Sequence, residues 1–293
     1  MTDEFSRFHP LVNLIFYAAV LGITMFQMQA VLIVISLICG GIYHFFLKKS
    51  HGLKYMGVLT AVFVLSACIN PLFSHRGGTL LFYLFTGNPV TFESIVYGIA
   101  AAAILCAVLL WFSTFNVIVT EDKLLAGIGR VFPHTAMLIT MIFRFVPKFT
   151  KQGKAVIFAE KALNMQSEST KNKLWSRIKM QADIFSITTT WALENSVDTA
   201  DSMKARGYGS GKRTSYNNYK IEARDIIVII WILIITFFVC TGIITGRAAT
   251  YYYPYISMNN DYIVYITYAS LCMTPVIINV WEDLRWRRLR SKI

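Results

Sequence analysis

One arginine in this sequence stands where it could recognise a carboxylate on another protein. The run Lys154–Arg206 contains no glycine or proline, and Gly207 follows Arg206 directly. A glycine just past a helix favours the left-handed conformation that ends it, so we expect Arg206 at a helix tip. Its guanidinium would interact favourably with the negative end of the helix dipole and could donate two parallel hydrogen bonds to a carboxylate. In the alternative, Arg206 caps its own helix or binds a lipid phosphate.

The other residues with chemical potential do not form a catalytic or nucleotide-binding pattern. The stretch Gly207–Thr214 differs from a phosphate-binding loop because only three residues separate Gly207 from Gly211, and Arg213 rather than Ser or Thr follows Lys212. The histidines are scattered without metal-ligand spacing, and the cysteines lie within apolar runs. We therefore expect no catalytic residue, metal or cofactor in this chain. These residues are His9, His44, His51, His75 and His134, and Cys39, Cys68, Cys106, Cys240 and Cys272.

The elements that must position Arg206 belong to a membrane protein. The chain has 293 residues, of which 55% are apolar and 15% charged. A helix needs roughly 20 apolar residues to cross a bilayer, and six segments fit this requirement. A seventh, Thr135–Phe149, is interrupted by Arg144 and Pro147 and is interpreted as incomplete or interfacial. The predicted spans are Leu11–Phe26, Ala30–Leu47, Tyr55–Phe73, Ile95–Val119, Ile226–Ile244 and Tyr262–Trp281.

The distribution of charge predicts the orientation of these spans. The net charge is +12, and 28 residues are Lys or Arg. If both termini are cytoplasmic, Arg76 and Arg247 are the only basic residues in external loops, as the positive-inside rule requires. Asp3 and Glu4 precede the first apolar segment without a small-residue cleavage site, so we expect the first helix to be retained. Between Phe73 and Phe92 we expect an external loop.

A basic insert lies between the fourth and fifth predicted spans. Residues 148–224 contain half of the Lys and Arg residues, and they predict two helices separated by a polar patch at Asn164–Asn172. The second helix, from about Lys173 to Arg206, would be on the order of 50 Å long. It carries an apolar seam with residues three or four apart, which could pack on its partner helix, on lipid or on another protein. The seam consists of Trp175, Ile178, Ala182, Phe185, Ala192 and Met203, and the polar residues Thr189 and Ser196 lie between them on the same side of the helix.

Several of these motifs resemble one family of membrane proteins. The stretch Asp201–Gly209, with Ala205-Arg206-Gly207 at its centre, is similar to the second Ala-Arg-Gly signature of the T component of energy-coupling factor (ECF) transporters, the EcfT/CbiQ family. Arg144-Phe145-Val146-Pro147 resembles the family's Arg-Phe-x-Pro segment, and Asn70–Phe73 and Val90–Glu93 fit its external region. The first Ala-Arg-Gly motif is degenerate here. Its place is taken by Lys161, Ala162, Leu163 and Asn164.

The resemblance implies an all-α integral membrane protein with about six transmembrane helices and two long cytoplasmic coupling helices. It implies a non-catalytic subunit in the plasma membrane of a prokaryote, joining two ABC-type ATPases to a small membrane S component that binds a vitamin or a transition-metal ion. ATP and Mg²⁺ would be bound by the ATPases. Ala205, Arg206 and Gly207 would dock an ATPase, with Lys161–Asn164 as weaker positions. The seam would contact the S component or the neighbouring helix.

Two other classes remain possible from the residues alone. A membrane-embedded enzyme could use an interfacial site near Arg144 and the external loop, although no acid/base or metal cluster is evident in the sequence. A lipid-binding scaffold could use the basic faces of the insert without any ATPase. No nucleic-acid partner is expected. In each case the chain divides into N-terminal spans at 1–147, the insert at 148–224, and a C-terminal pair of spans with a basic tail at 225–293.

Overall fold

The computed structural model is that of an all-α membrane protein, and it describes residues 4–74, 77–83, 89–164, 173–211, 219, 221–253 and 255–290. A short 3₁₀ turn at Phe5–Arg7 precedes the helices. The helices are α1 (Pro10–Phe26), α2 (Ala30–Phe73), α3 (Phe92–Ile118), α4 (Glu121–Val131), α5 (Pro133–Asn164), α6 (Lys173–Ala205), α7 (Ala223–Ile244) and α8 (Tyr262–Arg290). Two small antiparallel ladders pair β1 (Leu80–Tyr83) with β2 (Pro89–Thr91) and β3 (Thr250–Tyr251) with β4 (Ser257–Met258).

Within the described residues, five helical stretches are long and apolar enough to cross a membrane. The first predicted span corresponds to α1, which is apolar but has only 17 residues and is shorter than these five stretches. The predicted segment 135–149 is part of the continuous helix α5 and is not among them. The five stretches are Ala30–Lys48, Lys54–Phe73, Phe92–Ile118, Ala223–Ile244 and Tyr262–Trp286.

Helix α2 contains two of these stretches and folds back on itself between them. The rings of His44 and Tyr55 stack with centroids 4.9 Å apart, whereas residues 11 positions apart in a straight helix are separated by about 16 Å. Both halves flank α3. The Trp111 indole donates to Ser36 Oγ in the first half (2.9 Å), and Tyr55 in the second half donates to the Leu109 carbonyl (3.0 Å). The sequence predicted two separate helices here, but the structure joins them in one helical element.

A polar network joins four helices inside the apolar bundle. Thr24 of α1 donates to the Val20 carbonyl (2.7 Å), and its Oγ1 lies 2.8 Å from the Tyr268 hydroxyl and 3.1 Å from Ser36 Oγ. Ser36 Oγ also accepts the hydrogen bond from Trp111. If Tyr268 and Ser36 both donate to Thr24, every hydroxyl hydrogen in the network has an acceptor. Each of these polar groups needs a hydrogen-bond partner, because an unpaired polar group in the apolar interior destabilises the fold.

The loops at one end of the bundle are joined by hydrogen bonds. Gln27 donates through Nε2 to the Ala248 carbonyl (2.6 Å), and the Tyr252 hydroxyl donates to the Met28 carbonyl (2.7 Å). Gln29 Nε2 donates to the Asn259 carbonyl (3.1 Å). The turn between α1 and α2 is therefore held against the loop between α7 and α8.

The chain forms two compact units. The first comprises 1–124 with 219–293, and the second comprises 125–218. The sequence placed the first boundary at 147, because Thr135–Phe149 was grouped with the spans. In the structure this segment belongs to the same helix as the basic residues that follow it, and Phe149 packs on Trp191 of α6 with ring centroids 5.7 Å apart. This shared helix places the segment in the second unit.

Replacing Thr24 by valine tests the polar network. The change preserves side-chain shape but removes contacts to two other helices, so we expect a loss of about 1–2 kcal/mol in the free energy of unfolding. Thermal unfolding in mild detergent measures this loss. Thr60→Val is the matched control, because the Thr60 hydroxyl is exposed and bonds only to Met56 of its own helix. Equal stability of the two variants would contradict the role assigned to the network.

Candidate docking site

The end of α6 has a complete Schellman cap. Gly207 has φ +81°, which is the left-handed conformation expected from the sequence. Its N–H donates to the Lys204 carbonyl (2.9 Å), and the Tyr208 N–H donates to the Met203 carbonyl (3.0 Å). The 33-residue helix therefore stops in a defined geometry at Ala205, with Arg206 as the cap residue.

Arg206 is exposed at this end. Among the described residues its guanidinium makes no hydrogen bond or ion pair, whereas the nearby Lys204 ammonium lies 3.8 Å from the Asp201 carboxylate. Ala205 and Gly207 are also exposed, so no bulky neighbour covers the backbone beside the arginine. The tip therefore presents five guanidinium donors with no competing acceptor in the described chain.

Helices α5 and α6 pack through one face of each. On α6, Ile184 is 8% exposed and Trp191 packs on Phe149. The Lys148 ammonium donates to Asn195 Oδ1 (2.7 Å) and lies 5.4 Å from the centre of the Trp191 ring. These contacts make the two helices a single paired element.

The predicted seam lies on a different face of α6. At 100° per residue, Ile178, Ala182 and Phe185 are roughly 120° round the helix from Ile184, Trp191 and Asn195. Four seam residues are exposed: Trp175 (70%), Ile178 (60%), Phe185 (74%) and Ala182. Ala192 and Met203 are half-buried. Most of the seam is consequently not used in packing the helix pair.

The positions of the degenerate first motif lie at the end of α5. The helix ends at Asn164, and Ala162 is exposed. The side chains of Lys161, Leu163 and Asn164 lie outside the described part of the chain, as do 165–172, where the sequence predicted the turn. Arg144 is exposed in the same helix, which continues through Pro147 without ending.

Two chain segments connect the first unit to this helix pair. Both of them contact the N-terminal segment of the first unit. Lys123 lies at the start of α4 and is 6% exposed. Its ammonium donates to the Ser6 carbonyl (2.5 Å), to Ser6 Oγ (3.1 Å) and to the Ile118 carbonyl (2.7 Å). On the other side, the His9 ring lies edge-on to Tyr219 at 6.4 Å, and the His9 N–H donates to Asp225 Oδ1 (3.5 Å).

Sequence reasoning did not single out this attachment. Asp225 also accepts a hydrogen bond from the Glu222 N–H (2.9 Å) in a helix-capping arrangement. The signal available was an acidic residue three positions after Glu222 and before an apolar run, which is typical of a helix start. Nothing in the sequence indicated that the aspartate would also bind the N-terminal segment, because that contact joins residues 216 positions apart.

Replacing Gly207 by alanine tests the cap. A side chain in the left-handed conformation costs about 1–2 kcal/mol, so we expect the last turn of α6 to fray. Hydrogen exchange of the Gly207-position and Tyr208 amides should accelerate roughly 5- to 30-fold. Gly211→Ala is the matched control, because Gly211 lacks a positive φ and a Cβ there would meet no atom within 4 Å. Unchanged exchange in Gly207→Ala would exclude the cap as the feature that fixes the tip.

No group of three or more His, Cys, Asp or Glu side chains in the described part of the chain is arranged to hold a metal ion. No protein-family model matches this chain, and no curated protein matches it. The functional interpretation of the site therefore depends on the geometry of α5 and α6 and on the motifs they carry.

Proposed function

We propose that this chain is the transmembrane coupling subunit of an ECF-type ABC importer. It would link two cytoplasmic ATPases to an S component that binds a vitamin or a transition-metal ion. The observation that supports this proposal is Arg206, which is exposed and unpaired within the described residues at a capped helix tip. A weakly hydrated guanidinium tolerates burial in an interface better than an ammonium and can bind a carboxylate with two hydrogen bonds.

The α5–α6 pair suits the transmission of a displacement. Its 33-residue helix α6 is about 50 Å long, and the contacts of Phe149 and Lys148 with α6 join the two helices near their middle. When ATP draws the two ATPases together, a force applied at Arg206 would move the pair as a unit because its packed side chains cannot slide freely. The catalytic work of hydrolysis would remain in the ATPases.

The seam is the proposed contact with the S component. Trp175, Ile178 and Phe185 are each at least 60% exposed, and they face away from the side that packs on α5. An apolar stripe of this kind fits the groove of another helical protein. The same stripe also suits a lipid surface, as the scaffold alternative requires, so the two partners must be separated by experiment.

The distribution of charge supports a cytoplasmic location for the ends of the bundle that lead to α5 and α6. Lys48, Lys123 and Arg224 lie at the end of the first unit where Ser6 and His9 are found, while Arg247 lies in the opposite loop region. This asymmetry agrees with the positive-inside rule if the N-terminus is in the cytoplasm.

Reversing the charge of Arg206 tests docking. In membranes that contain the ATPases, affinity purification of the tagged wild-type chain should capture the ATPase pair, and Arg206→Glu should abolish capture because a carboxylate would face a carboxylate. Arg206→Lys should weaken capture by about 1–2 kcal/mol, because an ammonium lacks the planar fork. Lys179→Glu, on an exposed part of the same helix, is the charge-matched control. If Arg206→Glu inserts normally and still captures the ATPases, Arg206 does not dock them.

Replacing Phe185 by serine tests the seam separately. Phe185 is 74% exposed, so the substitution should leave folding intact while removing apolar contact area from the proposed S-component interface. We expect reduced co-purification of the S component and unchanged co-purification of the ATPases. Phe158→Ser, at a position on α5 that is 77% exposed, is the control for loss of an exposed phenylalanine. Equal effects of the two variants would remove the seam from this role.

A further inference from the structure

A cavity of about 570 Å³, open to the surface, lies at the tip of the α2 hairpin within the first unit. Its described lining is formed by Lys48, Lys54, Tyr55 and Val58. This volume falls within the range typical of small-molecule sites. Two of the four lining residues are cationic, and the sequence of α2 contains no Asp or Glu from Ala30 to Phe73.

The lysines have donors left for a ligand. The Lys48 ammonium donates to Ser113 Oγ (3.0 Å) and lies 5.7 Å from the centre of the Tyr55 ring, so a hydroxyl and an aromatic face hold it in place. Neither Lys48 nor Lys54 takes part in an ion pair with a described residue. A half-buried ammonium held without a carboxylate is a favourable partner for an external anion, because the cost of ordering its side chain is already met within the protein.

The position of the cavity along the helices identifies the kind of anion. Lys48 ends one apolar stretch and Lys54 begins the next, so both lysines lie at the level of the lipid headgroups. Val58 is one turn further into the second apolar stretch and is 60% exposed. The cavity thus combines a cationic end with an apolar end.

We propose that this cavity binds the headgroup of an anionic phospholipid. The lipid phosphate would accept hydrogen bonds from Lys48 and Lys54, and an acyl chain would run along Val58 and the exposed face of α2 that follows it. A free phosphate would use only the cationic end and would gain nothing from Val58. The site is independent of the coupling function, because none of its residues belongs to α5 or α6.

Native mass spectrometry of the full-length chain in detergent tests the site with two probes of identical acyl chains, phosphatidylglycerol and phosphatidylcholine. Phosphatidylglycerol should bind more tightly than phosphatidylcholine, and loss of each lysine should weaken phosphatidylglycerol binding roughly fivefold. The test variants are Lys54→Ala, which removes an exposed lysine without a described hydrogen bond or ion pair, and the double variant Lys48→Ala/Lys54→Ala. Lys154→Ala removes one positive charge from an exposed position on α5 as the control.

Three results would overturn the proposal. In the first, the double variant keeps the full preference for phosphatidylglycerol. In the second, Lys154→Ala weakens binding as much as Lys54→Ala, which would indicate attraction to overall charge and not a site. In the third, millimolar inorganic phosphate displaces the lipid, which would identify a site for a free anion. Retention of phosphatidylglycerol against phosphate, together with its loss in Lys54→Ala, supports a phospholipid site.

Discussion

The buried Lys123 ammonium joins three parts of the first unit that must hold together. It binds the Ile118 carbonyl, one of the carbonyls left without a helical partner at the end of α3, and it binds both the carbonyl and the hydroxyl of Ser6. Hydrogen bonds from a charged donor are roughly twice as strong as neutral ones, and burial protects them from competing water. Lys123 therefore links the start of α4 to the end of α3 and to Ser6, in addition to the backbone hydrogen bonds that Lys123 and Leu124 donate to the Thr120 carbonyl.

The same N-terminal segment is held at two further points. The Asn279 side chain of α8 accepts hydrogen bonds from the N–H groups of Glu4 (2.8 Å) and Phe5 (3.2 Å), and the Arg224 guanidinium lies 5.2 Å from the centre of the Phe8 ring. The segment thus contacts the starts of α4 and α7, from which the chain leaves for the second unit and returns. The two connections to the second unit therefore share one attachment point within the first unit.

Much of the fold was predictable because hydropathy and helix-ending residues act locally. The apolar segments, the helix over 173–205 and the left-handed Gly207 follow from residue types within one or two turns. The extent of α5 was not predictable in this way. Arg144 and Pro147 suggested an interruption, but the packing of Phe149 on Trp191 stabilises a helix that runs through both residues. Which side of α6 meets α5 also depends on such contacts, and the seam alone did not reveal it.

The loops at the end of the bundle opposite Lys123 have a mechanical consequence. Gln27, Gln29 and Tyr252 fasten the turn after α1 to the loop before α8, and Glu93 accepts hydrogen bonds from the N–H and hydroxyl of Thr79 beside the β1–β2 ladder. These hydrogen bonds restrict how far this end of each helix can move away from its neighbours. Hydrogen bonds at the two ends of the first unit thus restrain its helices at both of their termini, and not only along their packed sides.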